Sequence, residues 1–255
     1  MKDTDSKLHE RCYTSPFYEE YLLKLVEYNK TGEGTTLEKL EAFAKYVPKT
    51  SLAKFLAKYE LFKKILDIQG VIVECGVYCG GGLMSWAQLS SILEPMNHQR
   101  RIIGFDTFTG FPEITKEDIV ENSPLNIKEG MMSSRAVEDI RKGIEIYDLG
   151  RFMNHIPKVS IVVGDIKETA PKYIEDNSHL IISLLYIDTD LHAPAIAALR
   201  NFRSRMPKGA IVAFDEANVP FWPGETQALE DYFGIKNYKI NRNLFGTALS
   251  YIILD

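Results

Sequence analysis

VIVECGVYCGGG, the sequence of residues 71–82, decides which fold the chain is expected to adopt. It begins as an apolar, β-branched run of the kind found in a buried strand of a parallel sheet. Glu74 stands near the end of that run, and residues 83–93 show the apolar spacing of a helix. Between them lie four glycines within seven positions, Gly76, Gly80, Gly81 and Gly82. A strand, a glycine-rich turn and a helix in this order form the ligand crevice of an open α/β sheet.

The glycine turn differs from the two common phosphate-binding fingerprints. No Gly-Lys-Ser/Thr follows it, so it is not a P-loop, and the spacing from Gly76 to Gly80 departs from the G-x-G-x-x-G of dinucleotide-binding proteins. The glycines let the backbone approach a ligand where a Cβ would collide. An acidic strand end beside such a turn suits a cationic or hydroxyl-rich ligand better than a pyrophosphate. S-adenosylmethionine is both, so we expect it as the cofactor.

The composition is that of an ordinary globular protein. The chain has 255 residues, of which 45% are hydrophobic and 25% charged, enough for one large α/β domain or a core domain with a subdomain. The formal net charge of −5 argues against nucleic acid as a partner, because phosphate binding needs a basic face. No apolar stretch approaches the ~20 residues that span a bilayer, so no membrane association is expected.

The N-terminal residues and the cysteines indicate a reducing, cytoplasmic setting. MKDTDSKLHERC at the N-terminus lacks the apolar segment of a signal peptide. Cys12, Cys75 and Cys79 provide neither a disulfide framework nor a zinc-binding spacing. We expect Cys75 and Cys79 to be small buried hydrophobic residues rather than reactive thiols.

From residue 71 onward the chain alternates between strand-like and helix-like segments, as doubly wound sheets do. After the first strand, further strands are predicted at 101–106, 159–163, 180–188, 210–215, 238–242 and 248–254, with helices at 166–176, 193–206 and 225–233. The segment 180–188 is the most apolar and is expected at the centre, and the last two strands are expected to pair antiparallel. The predicted fold class is α/β: a Rossmann-like, mostly parallel seven-stranded sheet with helices on both faces.

Residues 1–70 are predicted to be a helical N-terminal region that precedes the Rossmann-like domain at 71–255. Segments 17–28 and 36–46 have helical apolar spacing, and Thr36 is expected to cap the second. Residues 51–66 carry a stronger amphipathic stripe, made of Leu52, Phe55, Leu56, Tyr59, Phe62, Ile65 and Leu66. These helices would line the acceptor pocket, or contact the sheet or a second subunit. We expect a homo-oligomer.

Residues 107–158 form an insertion between the second and third strands that is far longer than a typical crossover. It includes the loop FTGFPEI, a polar stretch and a predicted helix near 135–147. Insertions over the carboxyl edge of a sheet are commonly lids, so a lid is favoured over the alternative of a dimerisation arm.

Five predicted strands end in an acidic residue: Glu74, Asp106, Asp165, Asp188 and Asp215. Ligands of open α/β sheets bind outside the carboxyl ends of the strands, so these side chains are expected at one rim. Helix capping by Asp is the alternative, and it explains one or two of them easily. Asp106 is placed to bind the ribose hydroxyls and Asp165 the adenine amine, with Glu74 facing the amino or sulfonium charge. The predicted cofactor site also includes Gly76, Tyr78, Gly81, Phe108 and Ile166.

The last two strand ends carry a different signal, Asp188-Thr-Asp190-Leu-His192 and Asp215-Glu216. Four carboxylates on adjacent strand ends would repel one another, and a divalent cation resolves this repulsion. Oxygen ligands favour Mg²⁺, or Mn²⁺ or Ca²⁺, over zinc. A cation that binds an acceptor hydroxyl lowers its pKa, and Asp190 or His192 would then take the proton. For His192, an equally weighted alternative is a polar residue that begins a helix.

Phe221 and Trp222 follow the fifth strand, next to the predicted metal site. Aromatic side chains beside a polar site often stack on sugar faces, and they equally often pack a loop. Both alternatives stay open for these two residues.

The motifs together resemble those of the macrocin O-methyltransferase (TylF-type) family. VIVECGVYCGGG is followed by GFDTFTGFPE, by GD with a later KET, by YIDTDLH and by FDE, and the resemblance runs from residue 71 to the C-terminus. It implies a class I, Rossmann-like methyltransferase that uses S-adenosylmethionine and a divalent metal, usually Mg²⁺. It also implies a sugar hydroxyl as acceptor, on a glycoside or a nucleotide-activated deoxysugar.

The resemblance assigns roles to individual residues. It implies Asp188, Asp215 and Glu216 as metal ligands and Asp106 and Asp165 as cofactor contacts, while Asp188, Asp190 and His192 are the catalytic candidates. Family motifs often have Asp-Gly-Asp followed by Tyr where this chain has Asp188-Thr-Asp190 and His192, which leaves the base open. Two main rivals remain: methylation of a non-sugar diol such as a catechol, and a non-catalytic protein that binds S-adenosylmethionine. A dehydrogenase is disfavoured, because the G-x-G-x-x-G spacing is missing.

Overall fold

A computed structural model describes residues 16–123 and 125–255 of the chain. Contacts within the chain divide it into two compact units, one ending at Leu56 and the other comprising Ala57–Asp255, so residues 57–70 are grouped with the sheet. No helix within the described ranges combines the length and the apolar character needed to cross a membrane. Cys12 and the rest of residues 1–15 lie outside these ranges.

The described residues of the first unit are mainly helical, as predicted. Helix α1 is Pro16–Thr31, α2 is Thr36–Glu41, and a 3₁₀ turn follows at Phe43–Lys45. The prediction that Thr36 caps the second helix was wrong, because Thr35 does. The Thr35 hydroxyl accepts from the Glu38 N–H at 3.3 Å while Oε2 of Glu38 accepts from the Thr35 N–H at 2.7 Å. This reciprocal capping box requires an acid three residues after the cap, and only Thr35 has one.

The second unit contains a seven-stranded sheet in the order β3-β2-β1-β4-β5-β7-β6. Its strands are β1 Val71–Cys75, β2 Ile102–Asp106, β3 Val159–Val163, β4 Ile182–Ile187, β5 Ile211–Phe214, β6 Asn241–Arg242 and β7 Ser250–Ile253. Strands β1 to β5 are parallel, and β7 pairs antiparallel with both β5 and β6. The predicted fold class, the central β4 and the antiparallel final pair are confirmed. The strand order reverses between β1 and β4, where open α/β sheets place their ligands.

Helices cover both faces of the sheet. The helices that follow α2 along the chain are α3 Lys49–Lys64, which begins in the first unit, α4 Gly81–Leu93, α5 Val137–Gly150, α6 Ile166–Asp176, α7 His192–Phe202 and α8 Gly224–Phe233. Residues of α6, α7 and α8 form one large core with the odd-numbered residues of β1. On the opposite face, Val77 and, from α4, Leu83 pack over Gly104 of β2. The glycine allows this, because a Cβ there would lie 2.6 Å from Val77 and 3.0 Å from Leu83.

Helix α3 and the residues just after it bury only part of the predicted stripe, Phe62 and Ile65 but not Leu56 or Leu66. Leu61, Phe62 and Ile65 are at most 1% exposed, whereas Leu56 and Leu66 are 41% and 44% exposed. The buried stripe also includes Lys58, which is 4% exposed. The buried positions 58, 61, 62 and 65 have helical spacing. Position 58 is a lysine, so apolar periodicity alone does not predict that it is buried.

The two described cysteines have different surroundings. Cys75 is wholly buried at the end of β1, where burial raises the pKa of its thiol well above the usual value. Cys79 is exposed, so the prediction that both are buried was wrong for Cys79. The reason is its position in the turn before α4, where the chain has already left the sheet.

Lys158 is a buried cation that precedes β3. Its side chain is 5% exposed and its ammonium donates to the carbonyl of Asn97. Burial, with added repulsion from Arg151 and Arg100, lowers the pKa of Lys158 to about 8, although Glu94 opposes the shift. A base whose folded pKa lies below its unfolded value of about 10.4 binds fewer protons when folded, so the protein gains stability as pH rises from about 8 to 10.

Replacing Lys158 by methionine is therefore expected to stabilise the protein at pH 7. The substitution removes a buried charge, and we expect a rise in melting temperature of about 2 to 4 °C, or about 1 kcal/mol for a chain of this size. The gain should shrink at pH 9.5, because the wild-type lysine is then largely neutral. Thermal melting of both proteins at pH 7 and pH 9.5 measures this. Lys142→Met, at an exposed position on α5, is the control, and a gain independent of pH would contradict the explanation.

Candidate active site

The carboxyl ends of β1, β2, β4 and β5 are aligned by backbone hydrogen bonds that continue one residue past the strands. The N–H of Gly76 donates to Phe105 O at 2.9 Å, that of Asp188 to Cys75 O at 2.8 Å, and that of Asp215 to Ile187 O at 2.9 Å. The glycine turn and the two later strand ends are therefore neighbours along one edge. This is the edge at which the sequence predicted the site.

The glycines of the turn mostly serve internal packing. A Cβ on Gly76, where φ is +91°, would lie 1.7 Å from the carbonyl oxygen of Asp188. A Cβ on Gly82 would lie 2.2 Å from Oε1 of Glu74, and one on Gly80 would lie 2.8 Å from Ile140 of α5. Only at Gly81 does a Cβ meet nothing within 4 Å. Of the four, Gly81 alone borders open space that a ligand could occupy.

Asp106 organises the backbone around this turn. Its Oδ2 accepts from the N–H groups of Val77 and Tyr78, each at 2.7 Å, and its Oδ1 accepts from the N–H of Phe108 at 2.6 Å. Tyr78 and Phe108 both have left-handed backbones, with φ of 52° and 57°. A carboxylate has about four lone-pair positions, so three such bonds leave capacity for a hydroxyl donor. The structure thus brings three predicted cofactor residues together.

Asp165 and Ile166 belong to the start of α6. Oδ1 of Asp165 accepts from the Lys167 N–H at 2.9 Å and caps the helix, so the capping alternative holds for this residue. The Lys167 ammonium lies 3.5 Å from Oδ2. Ile166 is 6% exposed and packs in the main core. Asp165 follows β3 next to Asp106, since the Gly164 N–H donates to Asp106 O at 2.9 Å.

Glu74 faces the interior rather than the crevice. Its side chain is 1% exposed, and the Lys58 ammonium lies 3.7 Å from its Oε2, too far for a direct hydrogen bond. Burial raises the pKa of the Glu74 carboxyl, and the charge of Lys58 partly offsets the rise. The structure therefore gives this carboxylate an internal cation in place of the predicted contact with the charge of the cofactor.

The loops after β4 and β5 are joined by Glu225 of α8, which is completely buried. Its Oε1 accepts from the N–H groups of Thr189 at 3.0 Å and Asp190 at 3.1 Å, and its Oε2 accepts from the N–H of Glu216 at 3.0 Å. Burial raises the pKa of Glu225 well above its usual value, and the charges of Asp188, Asp190 and Asp215 raise it further. The sequence analysis missed this residue, because nothing local to it indicates that it is buried.

His192 is the first residue of α7, as the alternative of a polar residue that begins a helix predicted. Its N–H donates to Oδ1 of Asp118 at 2.7 Å, and its Nε2 lies 2.9 Å from Oδ2 of Asp231 on α8. Asp118 is 1% exposed and belongs to a 3₁₀ turn of the insertion, Lys116–Asp118. The carbonyl of Asp190 also approaches this point, since a Cβ on Gly224 would lie 2.7 Å from it.

The three predicted metal ligands lie on adjacent strand ends without forming a ligand set. Asp188 and Asp215 follow Ile187 and Phe214, which are directly paired across β4 and β5, and Glu216 is the next residue. Within the described part of the chain, no three His, Cys, Asp or Glu side chains converge as a metal site requires. The donor types suit a hard cation such as Mg²⁺. Burial raises the pKa of both Glu225 and Tyr186, and the charges of the surrounding carboxylates raise both further. A cation would bind favourably in such a concentration of negative charge.

The insertion packs over both parts of this edge. The Ser134 hydroxyl donates to the carbonyl of Tyr78 at 2.7 Å, and Ile140 covers Gly80. Trp222 is 7% exposed and joins a second hydrophobic cluster with Leu191 and, from the insertion, Phe111 and Met131. For Trp222 the loop-packing alternative therefore holds.

Comparison with known proteins identifies the family. The sequence model of the macrocin O-methyltransferases (TylF) matches residues 56–245 of the chain, well over half of its length. The chain belongs to the macrocin O-methyltransferase family. It is thus an O-methyltransferase, and the rival of a non-catalytic binding protein is rejected. A search of curated protein sequences finds no match.

Solved structures of O-methyltransferases agree with the family assignment. The crystal structure of the calicheamicin methyltransferase CalS11 is 31% identical, with 94% of each chain covered and a TM-score of 0.89. An apo structure of CalS11, described as a TDP-rhamnose 3′-O-methyltransferase of calicheamicin biosynthesis, is 29% identical over 94% of this chain and 96% of that one, with a TM-score of 0.81. The O-methyltransferase NovP, 18% identical over 82% and 81% of the chains with a TM-score of 0.58, supports the fold alone. The class I methyltransferase fold of this family member is confirmed.

Replacing Gly76 by alanine is expected to destabilise the fold by at least about 3 kcal/mol, because a Cβ would collide with the backbone at Asp188 and the left-handed φ adds strain. Gly81→Ala is the matched control, since its Cβ meets open space and alanine favours helices, so its stability should stay within about 1 kcal/mol of wild type. Urea unfolding measures both. Equal stabilities for the two variants would contradict the packing role assigned to Gly76.

Replacing Glu225 by alanine is expected to destabilise the protein by about 3 kcal/mol, because three backbone N–H groups lose their acceptor. Methyl transfer should fall as well, since the loops that carry Asp188, Asp190 and Glu216 lose their common anchor. Gln227→Ala, at an exposed position of the same helix, should change stability by less than about 0.5 kcal/mol. A Glu225→Ala protein with unchanged urea unfolding would show that the three hydrogen bonds contribute little.

Proposed function

We propose that the protein transfers a methyl group from S-adenosylmethionine to a sugar hydroxyl with the help of a divalent cation. The acceptor class is a nucleotide-activated deoxysugar, or a glycoside of a natural product or surface glycan. The observation that carries this proposal is the similarity over nearly the whole chain to CalS11, an enzyme described as acting on TDP-rhamnose. The arrangement of the carboxyl edge supports it.

The cofactor part of the site is the glycine turn with the ends of β2 and β3. Gly81 borders open space at the start of α4, and Asp106 holds the backbone of Tyr78 and Phe108 while keeping capacity for a hydroxyl. Gly76 contributes by letting the turn lie against β4. Asp165 and Ile166 are proposed to border the base of the nucleoside. S-adenosylmethionine would supply the activated methyl group.

The metal part of the site is proposed at Asp188, Asp215 and Glu216. Asp188 and Asp215 follow register-matched strand residues and share a region of concentrated negative charge, and Glu216 is the next residue along the chain. A divalent cation held there would lower the pKa of the acceptor hydroxyl and fix its position. Glu225 contributes by holding the backbone of the two loops in place.

The reaction forms a C–O bond, breaks the S–C bond of the donor and releases the hydroxyl proton to a base. Asp190 and His192 are the two proposed bases. The backbone of Asp190 has φ of 61° and is fixed by Glu225, which holds its position. The imidazole of His192 is oriented by Asp231, in the way that an acidic partner orients a histidine base.

The surroundings of the site fit a lid and an acceptor pocket. The insertion at 107–158 is proposed as a lid, and its contacts through Ser134, Asp118 and Phe111 within its own chain support this role. Phe221 remains a proposed contact for a sugar face. The helices of residues 1–70 are proposed to line the acceptor pocket or to form the contact of a homo-oligomer.

A substrate panel tests this function. We expect methyl transfer to a thymidine-diphosphate deoxysugar, loss of that activity in EDTA, and its restoration by Mg²⁺. Asp188→Asn should lower kcat at least about 100-fold, because metal activation of the hydroxyl is lost. S-adenosylhomocysteine should still bind this variant in calorimetry, and Gly81→Ala should weaken that binding.

A catechol is the control acceptor in the same panel. Turnover of the catechol alone would reject a sugar as the substrate, and full activity in EDTA would reject the metal. A protein that methylates sugars but binds S-adenosylhomocysteine equally well with alanine at position 81 would show that the cofactor lies elsewhere.

A further inference from the structure

Tyr186 connects the interior of the sheet to the proposed metal site. It lies in β4 two residues before Asp188, is 1% exposed, and its hydroxyl donates to Oδ1 of Asp215. Tyr186 pairs in register with Ala213, which stands two residues before Asp215 on β5. The phenol therefore reaches along one face of the sheet to the next strand end and fixes one oxygen of a carboxylate that is itself 3% exposed.

Lys58 of α3 lies on the ring of Tyr186. Its ammonium is 3.3 Å from the centre of that ring, 4.7 Å from the ring of Trp86 and 3.7 Å from Oε2 of Glu74. Trp86 also packs edge-on against Tyr186, with ring centres 5.5 Å apart. A cation over the face of a phenol withdraws electron density from its ring. The hydroxyl consequently becomes a stronger hydrogen-bond donor to Asp215.

Stability alone gives no reason for this arrangement. Burying an ammonium and a carboxylate costs several kcal/mol per ion, and apolar side chains of similar volume often serve stability as well or better. The ammonium of Lys58 and Oε2 of Glu74 have no hydrogen-bond partner among the described residues. A methionine at 58, an uncharged glutamine at 74 and a phenylalanine at 186 would fill the same space without a buried charge. What they would lack is the hydroxyl on Asp215 and the charge that strengthens it.

We propose that Tyr186 is a positioning residue that holds Asp215 for cation binding, and that Lys58 in turn holds and polarises Tyr186. The proposal rests on the metal site of the proposed function and adds residues to it. Partners of this kind around metal ligands commonly change metal affinity 10- to 100-fold when they are lost.

Direct cation binding tests the proposal without relying on turnover. Mn²⁺ is titrated into the full-length protein, and the loss of the free-ion EPR signal gives its affinity. We expect Tyr186→Phe to weaken Mn²⁺ binding about 10-fold. The double variant Lys58→Met/Glu74→Gln, which leaves neither buried charge without its partner, should weaken it in the same direction. The affinity for S-adenosylhomocysteine in metal-free buffer should stay within about twofold of wild type, because none of these residues belongs to the cofactor part of the site.

Tyr147→Phe is the matched control. Tyr147 is also buried, at 7% exposure, and its hydroxyl donates to the carbonyl of Ala87 at 2.8 Å and lies 2.7 Å from that of Ser91, away from the acidic edge. Like Tyr186→Phe, the Tyr147→Phe substitution removes a hydrogen-bonded phenol hydroxyl from a buried position. We expect its Mn²⁺ affinity to equal that of wild type, even where its melting temperature falls as much as that of Tyr186→Phe.

The outcomes separate this proposal from the proposed function. Wild-type Mn²⁺ affinity in Tyr186→Phe would overturn the positioning role and leave the proposed methyl transfer intact. Equal weakening in Tyr186→Phe and Tyr147→Phe would also overturn it, because the effect would then be one of general destabilisation. A wild-type protein that binds no Mn²⁺ would overturn the metal site and this proposal together.

Discussion

A single buried carboxylate, that of Glu225, holds together the two loops on which the proposed chemistry depends. Three backbone N–H groups from the ends of β4 and β5 converge on it, and it lies in a helix that belongs to neither loop. Backbone hydrogen bonds within a strand end where the strand ends, so the segments beyond need another acceptor. Glu225 of α8 supplies this acceptor. Its hydrogen bonds to the N–H groups of Asp190 and Glu216 fix the backbone positions of these two residues.

The close approach of neighbouring strand ends also explains the glycine turn. The turn must lie against the backbone of Asp188, and only a residue without a Cβ can lie there, since the separation would otherwise be 1.7 Å. The glycines were expected to make room for a ligand, yet three of the four make room for the protein itself. The turn proposed to bind the cofactor is thus packed tightly against the end of β4, and of its four glycines Gly81 alone borders open space.

The parts of the fold that depend on local periodicity could be predicted, and those that depend on a distant polar partner could not. The alternation of strands and helices and the acidic strand ends come from patterns a few residues long, and the structure has them where they were expected. Lys58 and Glu225 are charged residues at helical positions, and such residues ordinarily face solvent. Their burial depends on aromatic rings or backbone groups that lie from 9 to 128 residues away along the chain. The choice of Thr35 over Thr36 is different, because Glu38 stands three residues after Thr35 and this local pattern alone identifies the cap.

The acidic edge also shows why a structural and a chemical explanation of one residue need not compete. Asp165 caps a helix, Asp106 accepts three backbone N–H groups and Asp215 accepts from Tyr186, so each carboxylate has an ordinary structural partner. Without those partners, the mutual repulsion of so many carboxylates would favour loops that spread apart. Each structural bond fixes one side of a carboxylate and so determines the direction in which its remaining acceptor capacity points. A site that must present several negative charges to a ligand needs its carboxylates anchored in this way before the ligand arrives, and Tyr186 does for Asp215 what the backbone does for Asp106.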